Sequence, residues 1–370
     1  METYDTTPIY KRIADDYRNK INSGELPAGS LIPPQTSLAR LHGTSEVTIR
    51  KALQVLVEDG LIYRVRKKGT FVSGPNDHRT TNSHSKEDDI KRVYFVYNGV
   101  PISLITQEIH KAMMDGISDA CSTYGIELVF LNVRGTSELP DDKEAGYLVW
   151  GLEWISITNI ENWAKAGYKM VTLHNYFPHL DIPYVNCDNY TGGYLAAQHL
   201  LSLGHRRIGV VLLGRSNYDI EREWALRLQG FHLAHKNNGI EYDHELIYVD
   251  RPEHDDLEEL GYNGMKKLMA IENPPTAVFA AADFAAFGAM QAAEDLHLSI
   301  PNDVSIIGYD GYSFGTFTNP SITTVQQNFY DLGKFGLEKL IHPQSQAFES
   351  LVPPQLIVRQ STGRMIKVDT

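Results

Sequence analysis

Between Pro33 and Val72 the chain places two short stretches of helical spacing around Gly43. It follows them with LIYRVRKKGTFV, which alternates apolar and basic residues about Lys67-Lys68-Gly69. Few folds accept that order. Gln35 to Leu41 makes one helix, Gly43 offers a tight bend, and Ser45 is a credible N-cap for the next helix. In that helix Ile49, Ala52, Leu53, Leu56 and Val57 form the buried face. Upstream, Thr7 and Pro8 can open a helix carried by Ile9, Ile13, Tyr17 and Ile21 and ending near Ser23-Gly24. The sum is a helix-turn-helix with a hairpin wing, a unit built to meet double-stranded DNA. Ser45, Glu46, Val47, Thr48, Arg50 and Lys51, with Gln54 beyond them, would then face a major groove. Arg64, Arg66, Lys67, Lys68 and Gly69 would bring the wing to phosphates or the minor groove.

The net charge of -12 argues against nucleic acid only if the chain is treated as one object. Residues 1 to 75 carry 11 Lys+Arg against 8 Asp+Glu, which leaves -15 for the remaining 295 residues. A small basic head seeks the phosphate backbone while an acidic body is repelled by it, so contact through the head alone is expected. At 370 residues and 42% hydrophobic content, two or three domains are predicted. The start, METYDTTPIYKR, has no apolar core suited to a signal peptide, and no apolar run is long enough to span a bilayer. Cys121 and Cys187 lie far apart without CxxC or CxxxH partners, so no disulfide framework and no zinc site is expected. The expected location is the cytoplasm, with no membrane partner.

From Gly74 to Asp89 the composition turns to GPNDHRTTNSHSKEDD, a linker. Beyond it, short β-rich runs (KRVYFVYN, IELVFLNV, GYLVWG, KMVTLHN, RRIGVVLLG, LIYVD, AVFAAA, VSIIGYD) alternate with amphipathic helical stretches. That alternation predicts parallel sheets with helices on both faces, and ligands in such folds sit beyond the carboxyl ends of the strands. The division expected is a head over 1–73, a linker over 74–90 and a body over 91–370.

The residues carry two resemblances. Leu38-Ala39, Ser45, Thr48-Ile49-Arg50, Ala52-Leu53, Leu56, Gly60-Leu61-Ile62 and Gly69-Thr70-Phe71-Val72 make the head similar to the DNA-binding domain of the GntR family. It departs from that family at Pro34-Gln35-Thr36, where Ser-Glu-Arg is usual, and at Glu46, where Arg is usual. The operator sequence therefore does not carry over, and Glu46 could accept from a cytosine amino group. The body resembles the effector domain of LacI/GalR repressors, itself periplasmic-binding-protein-like, through Asp188 to Gly193, Leu203 to Ile208, Arg227 to Phe231, Ala277 to Ala280, Asp283, Gly288-Ala289, Ile300-Pro301, Asp303 to Asp310, Pro320, Thr323 to Gln327 and Leu332-Gly333. Head and body joined in this way resemble arabinose-type repressors. The implied fold is a winged helix-turn-helix followed by a two-subdomain α/β body. The implied function is a homodimeric repressor of carbohydrate-use genes, released from its operator by a sugar-like effector and needing no cofactor, no metal and no catalytic residue.

A polyol asks for bidentate acceptors and donors with an aromatic face beside them. At strand ends the chain offers Asp310, Asp283, His174 and Trp150, with Arg227 in a helix and Gln327 in a return segment. Each has a plainer alternative. Asp310 could cap its own turn, Asp283 could cap the helix from Phe284, Trp150 and Trp224 could be core, and His174 could be a hydrogen-bonded structural residue. Ala282 stands where the family often has a hydroxyl-binding Asn.

Three further stretches have plain readings. His205-Arg206-Arg207 is expected to be a structural junction, and Gly192-Gly193 lies in no phosphate-loop pattern. Glu253 to Glu259 reads as a solvated helix start. The helix Phe284 to Leu296, with Phe287, Met290 and Ala293 on one face, is a candidate body–body interface or an ordinary buried helix. Two other functions stay open: a corepressor-dependent repressor or activator sensing a purine or phosphorylated metabolite, and an enzyme fused to a DNA-binding head. No cofactor Lys motif, GxSxG or HExxH supports the enzyme.

Overall fold

The computed structural model describes residues 9–42, 44, 46–65, 69–74, 90–98, 108–134, 138–142, 144–151, 155–175, 177, 180–343 and 351–365. The chain divides into two compact units, parted between positions 89 and 90.

In the first unit, α1 (Ile9–Asn22) precedes β1 (Leu31–Ile32), α2 (Gln35–Leu41), α3 (Glu46–Glu58), β2 (Ile62–Val65) and β3 (Gly69–Val72). The hairpin β2–β3 pairs Ile62 with Val72 and Val65 with Gly69, and β1 joins its β3 edge through Leu31 and Phe71. Ile13, Ala14 and Tyr17 of α1, Leu38 of α2, and Ile49, Ala52, Leu53 and Leu56 of α3 close over Ile32, Ile62 and Val72. Val57, expected inside, is half-buried. The N-cap position Ser45, the Thr7-Pro8 helix start and the basic tip Arg66 to Lys68 lie outside the described residues.

The second unit has two lobes. The first begins with β4 (Arg92–Tyr97), α4 (Glu108–Tyr124), β5 (Glu127–Asn132), β6 (Ala145–Val149), α5 (Ile157–Lys165), β7 (Met170–Leu173) and β8 (Tyr184–Cys187). The chain then builds the second lobe from α6 (Asn189–Ser202), β9 (Ile208–Ser216), β10 (Asp219–Ile220), α7 (Arg222–Asn237), β11 (Ile247–Asp250), α8 (Leu257–Met269), β12 (Ala277–Ala280), α9 (Asp283–Asp295), β13 (Ser305–Asp310) and β14 (Thr323–Gln326). It returns to the first lobe for α10 (Phe329–Ile341) and β15 (Leu351–Val352), and ends in the second with β16 (Gln355–Ile357). The first sheet runs β15-β8-β7-β6-β4-β5 with every pairing parallel. The second runs β10-β9-β12-β13-β14-β16, with β11 also on β9 and the two terminal strands antiparallel.

The central strands are largely apolar because helices cover both faces; every residue of β6, β7 and β12 is buried. Caps start the helices where side-chain oxygens meet the orphan first-turn amides: Asp188 accepts from the Thr191 amide, Asp256 from those of Glu258 and Glu259, and Asn328 from that of Asp331. Gly193 and Gly230 let α6 and α7 touch. A Cβ would stand 1.8 Å from the Arg227 carbonyl oxygen at Gly193 and 1.8 Å from that of Tyr190 at Gly230. Gly193 therefore serves helix packing, while its neighbour Gly192 leaves room for the Tyr309 ring of β13, whose hydroxyl would stand 2.1 Å from a Cβ there. The basic triplet is structural as well: the buried His205 ring meets Thr276, Ser305 and the Gly363 carbonyl, while Arg207 donates to Asn273 and Asp243.

On α9 the expected interface face is already covered from within the chain. Met290 and Ala293 are buried and Phe287 packs on the second lobe's core. Among the described residues no helix is long and apolar enough to cross a membrane, and no cluster of His, Cys, Asp and Glu could hold a metal ion.

Candidate functional site

The chain carries two candidate surfaces, one on the head and one on the body. On the DNA-facing side, the burial of Ile49, Ala52, Leu53 and Leu56 fixes the inward stripe of α3. Glu46, Val47, Arg50 and Lys51 lie within α3, Thr48 is half-buried, and Gly69 opens β3.

The second site lies where strands of both lobes end. Arg227 on α7 is 3% exposed and none of its three nitrogens is free. Nε donates to Asn189 Oδ1 at 2.8 Å, one terminal nitrogen donates to the Ala281 carbonyl, and the other stands 3.5 Å from Asp310 Oδ1. The guanidinium also lies 3.8 Å from the Tyr309 ring centre, a cation–π contact, and 5.5 Å from that of Trp224. Asp310, the last residue of β13, has φ 107 and accepts from Gln327 Nε2 at 2.8 Å. Burial pushes its carboxyl up to about 6, against the opposing pull of Arg227 and Gln327.

Four side chains here hold buried polar atoms without a hydrogen-bond partner: Gln327 Oε1, His174 Nε2, Glu223 Oε1 and the Tyr309 hydroxyl. His174 follows β7 at φ 64, beside Phe329 with ring centres 5.4 Å apart. Burial, then the charge of Arg227, then His110, hold it down to about 3, so its ring is neutral. Burial likewise raises Glu223, which lies one helical turn before Arg227 on α7. A buried polar atom without a partner is costly, and such atoms gather where a ligand supplies the missing bond.

Asp283 does not cap its helix. The N-cap of α9 is Ala282, with no side-chain cap, and Asp283 is the first helical residue. Its carboxylate accepts from the amides of Gly311 at 2.8 Å and Tyr312 at 2.7 Å and from Thr324 Oγ1 at 2.6 Å. Burial, then the charge of Asp310, push it up to about 7. It is the keeper of the turn after β13, a role the sequence had offered to Asp310. Trp150 is 6% exposed in the first lobe's core, stacked on Phe95 at 6.0 Å with His110 edge-on at 4.7 Å. Trp224 is buried too. The hydrogen-bonded alternative for His174 is not met at Nε2.

The structure thus gathers Arg227, Asp310, Gln327 and His174, and adds Asn189 and Glu223, which sequence reasoning passed over. The signal for Glu223 was its spacing of four from Arg227, which places both on one helix face.

Comparison with known proteins follows the same division. Residues 9–72 match the model for bacterial regulatory proteins of the gntR family, and residues 197–362 match that for the periplasmic binding protein-like domain. The arabinose metabolism transcriptional repressor of Geobacillus stearothermophilus is 25% identical over 374 residues, covering 96% of this chain and 98% of the relative. The HTH-type transcriptional repressor CytR of Escherichia coli is 34% identical over 197 residues, covering 52% of this chain and 55% of that one. Among solved structures, a LacI family transcriptional regulator from Enterococcus faecium with bound ribose superposes with a TM-score of 0.58 at 26% identity, over 75% of this chain and all of that one.

Proposed function

From a chain that joins a gntR-type DNA-binding head to a periplasmic-binding-protein-like body and is similar over nearly its whole length to an arabinose metabolism transcriptional repressor, we propose a transcriptional repressor whose operator binding is governed by a neutral, sugar-like effector. It acts as a homodimer in the cytoplasm and catalyses no reaction. Its head spans 1–73, its linker 74–90 and its effector body 91–370. Two heads read a pseudo-palindrome, with Ser45, Glu46, Val47, Thr48, Arg50 and Lys51 at the groove and Arg66, Lys67, Lys68 and Gly69 at the wing.

The observation that carries the effector reading is the charge balance of the cleft. A phosphate or carboxylate ligand needs an uncommitted cation, and the charge of Arg227 is already balanced by Asp310 while its nitrogens also donate to Asn189 and the Ala281 carbonyl. The unpartnered oxygens of Gln327 and Glu223 and the carboxylate of Asp310 are acceptors, and they suit a ligand rich in hydroxyl donors. His174 supplies a neutral ring, Asp283 holds the turn that aims Asp310, and Trp150 backs the first-lobe wall. Effector binding lowers operator occupancy only if the sugar-bound form binds DNA less well, because equal affinity shifts nothing.

The test begins with a duplex selected from a random pool by the full-length protein. That complex is then titrated with arabinose, ribose and their phosphates, and with purine nucleosides. Release by an unphosphorylated sugar supports the reading. Release, or tighter binding, only with a phosphate or a purine replaces it with the corepressor alternative.

A further inference from the structure

The turn that carries Asp310 is held from two sides, and one of them is the opposite lobe. Asp283 takes the amides of Gly311 and Tyr312. The next amide, that of Ser313, goes to Glu108, the first residue of α4 in the first lobe and 205 residues away in sequence. It reaches Oε1 at 3.2 Å and Oε2 at 3.0 Å, and the Ser313 hydroxyl adds a bond to Oε2 at 2.7 Å. Three successive amides after a residue at φ 107 are thus shared between two carboxylates, one from each lobe.

A second contact crosses the same gap. Arg222, at the start of α7, lies 5.5 Å from the ring centre of Phe177, which follows β7. In the first sheet β4, which leads to Glu108, and β7, which leads to Phe177, flank β6; in the second, β13 and β9 flank β12. The two crossings therefore bracket the middle of the cleft, where Arg227 and Asp310 meet.

We infer that Glu108 is a positioning residue for the effector cleft: by accepting from Ser313 across the lobes, it ties lobe closure to the pose of Asp310. Glu108 touches none of the polar groups assigned to the ligand and acts through the 311–313 turn. When the lobes part, Ser313 loses its acceptor and the turn is held by Asp283 alone. Closure and the aim of Asp310 then rise and fall together. The inference rests on the proposed effector cleft for its functional meaning, but the clasp can be measured without any effector.

The experiment is a pair of spin labels on full-length protein at Ile157→Cys and Leu296→Cys, exposed positions of the two lobes at 42% and 39%; the native Cys121 and Cys187, at 3% and 1%, are shielded from labelling. The expected result is a compact distance population in the parent. In Glu108→Ala the ratio of compact to extended forms should fall roughly tenfold, the scale of losing hydrogen bonds to a charged acceptor. Glu108→Gln, which keeps one acceptor oxygen, and Ser313→Ala, which keeps the amide, should fall between. Glu108 and Ser313 are exposed, so their variants should fold, with thermal melting as the check. An unchanged distance distribution in Glu108→Ala overturns the clasp. If Glu108→Ala opens the lobes while no sugar alters DNA binding, the clasp stands and the effector reading fails.

Discussion

The carboxylate of Asp283 accepts from the amide of Gly311 at 2.8 Å, and by that bond sets the backbone immediately after Asp310. Neighbouring acidic side chains at one sheet edge thus divide two tasks. Asp283 is satisfied inside the protein by Gly311, Tyr312 and Thr324, whereas Asp310 faces Arg227 and Gln327 at the cleft.

Asp310→Asn keeps a carbonyl opposite Arg227 but loses the charge. Sugar affinity is expected to fall on the order of 10- to 100-fold while operator binding is retained, read by isothermal titration and by DNA-binding anisotropy. The carboxyl sits at about 6, so its negative charge is present above that pH and lost below it. Affinity in the parent should therefore weaken from pH 7 to pH 5, and the variant should lose most of that dependence.

Asp283→Ala removes both carboxyl oxygens, which together accept from three donors. A loss of about 3 kcal/mol or more in the unfolding free energy of the body is expected, measured by urea titration. The folded carboxyl, at about 7, lies above its ordinary 3.8. Its contribution is thus fully present below 3.8 and lost as pH rises through 7. Comparing parent and variant across that window should show the difference shrinking toward alkaline pH.

Gly193→Ala drives a methyl into the carbonyl of Arg227, 1.8 Å from where its Cβ would stand. Backbone must give way on α6 or α7, at a cost of about 1–3 kcal/mol or more. Because that carbonyl belongs to the cleft arginine, the sugar response should fail as well. A variant with parental melting temperature and parental response would contradict the packing described.

His232, at the back of α7 against Tyr242 and His244, is held down to about 4 by burial and then by its histidine neighbours. The unfolded chain takes up its proton first, near 6.5. The stability it contributes is therefore present above 6.5 and lost as pH falls toward 4. His232→Leu should flatten the fall in melting temperature over that range, and a parallel curve would remove His232 from the account.

Arg50→Ala is expected to weaken operator binding by about 1–3 kcal/mol and leave sugar affinity untouched, the reverse of Asp310→Asn. Binding curves at two salt concentrations separate a base contact from a phosphate contact, since only the latter lowers the salt slope by about one.

Much of the fold could be read directly from residue spacing. The helix expected from Gln35 to Leu41 is there with those bounds, and the runs GYLVWG, KMVTLHN, AVFAAA and VSIIGYD each hold a strand, the first three ending short of their runs at Val149, Leu173 and Ala280. Continuous apolar stretches and cap residues are local signals, so they survive without tertiary knowledge. What escaped was long-range. Whether Asp283 caps its own helix or holds a turn 28 residues on depends on a sheet that juxtaposes β12 and β13. The meeting of Glu108 with Ser313 depends on both lobes. Phe287, Met290 and Ala293 had the spacing of either an interface or a core, and only burial distinguishes the two.

The strand β15 pairs with β8 in the first lobe although it follows nearly all of the second in sequence, and β16 then closes the second. During synthesis the head is free to fold as soon as it leaves the ribosome. The first lobe lacks α10 and its edge strand until position 352 has been made, and the second lacks its last strand until position 357. Both halves of the body stay unfinished until position 352, so a nascent chain cut short after the head and before that point carries a finished DNA-binding head with no finished sensor.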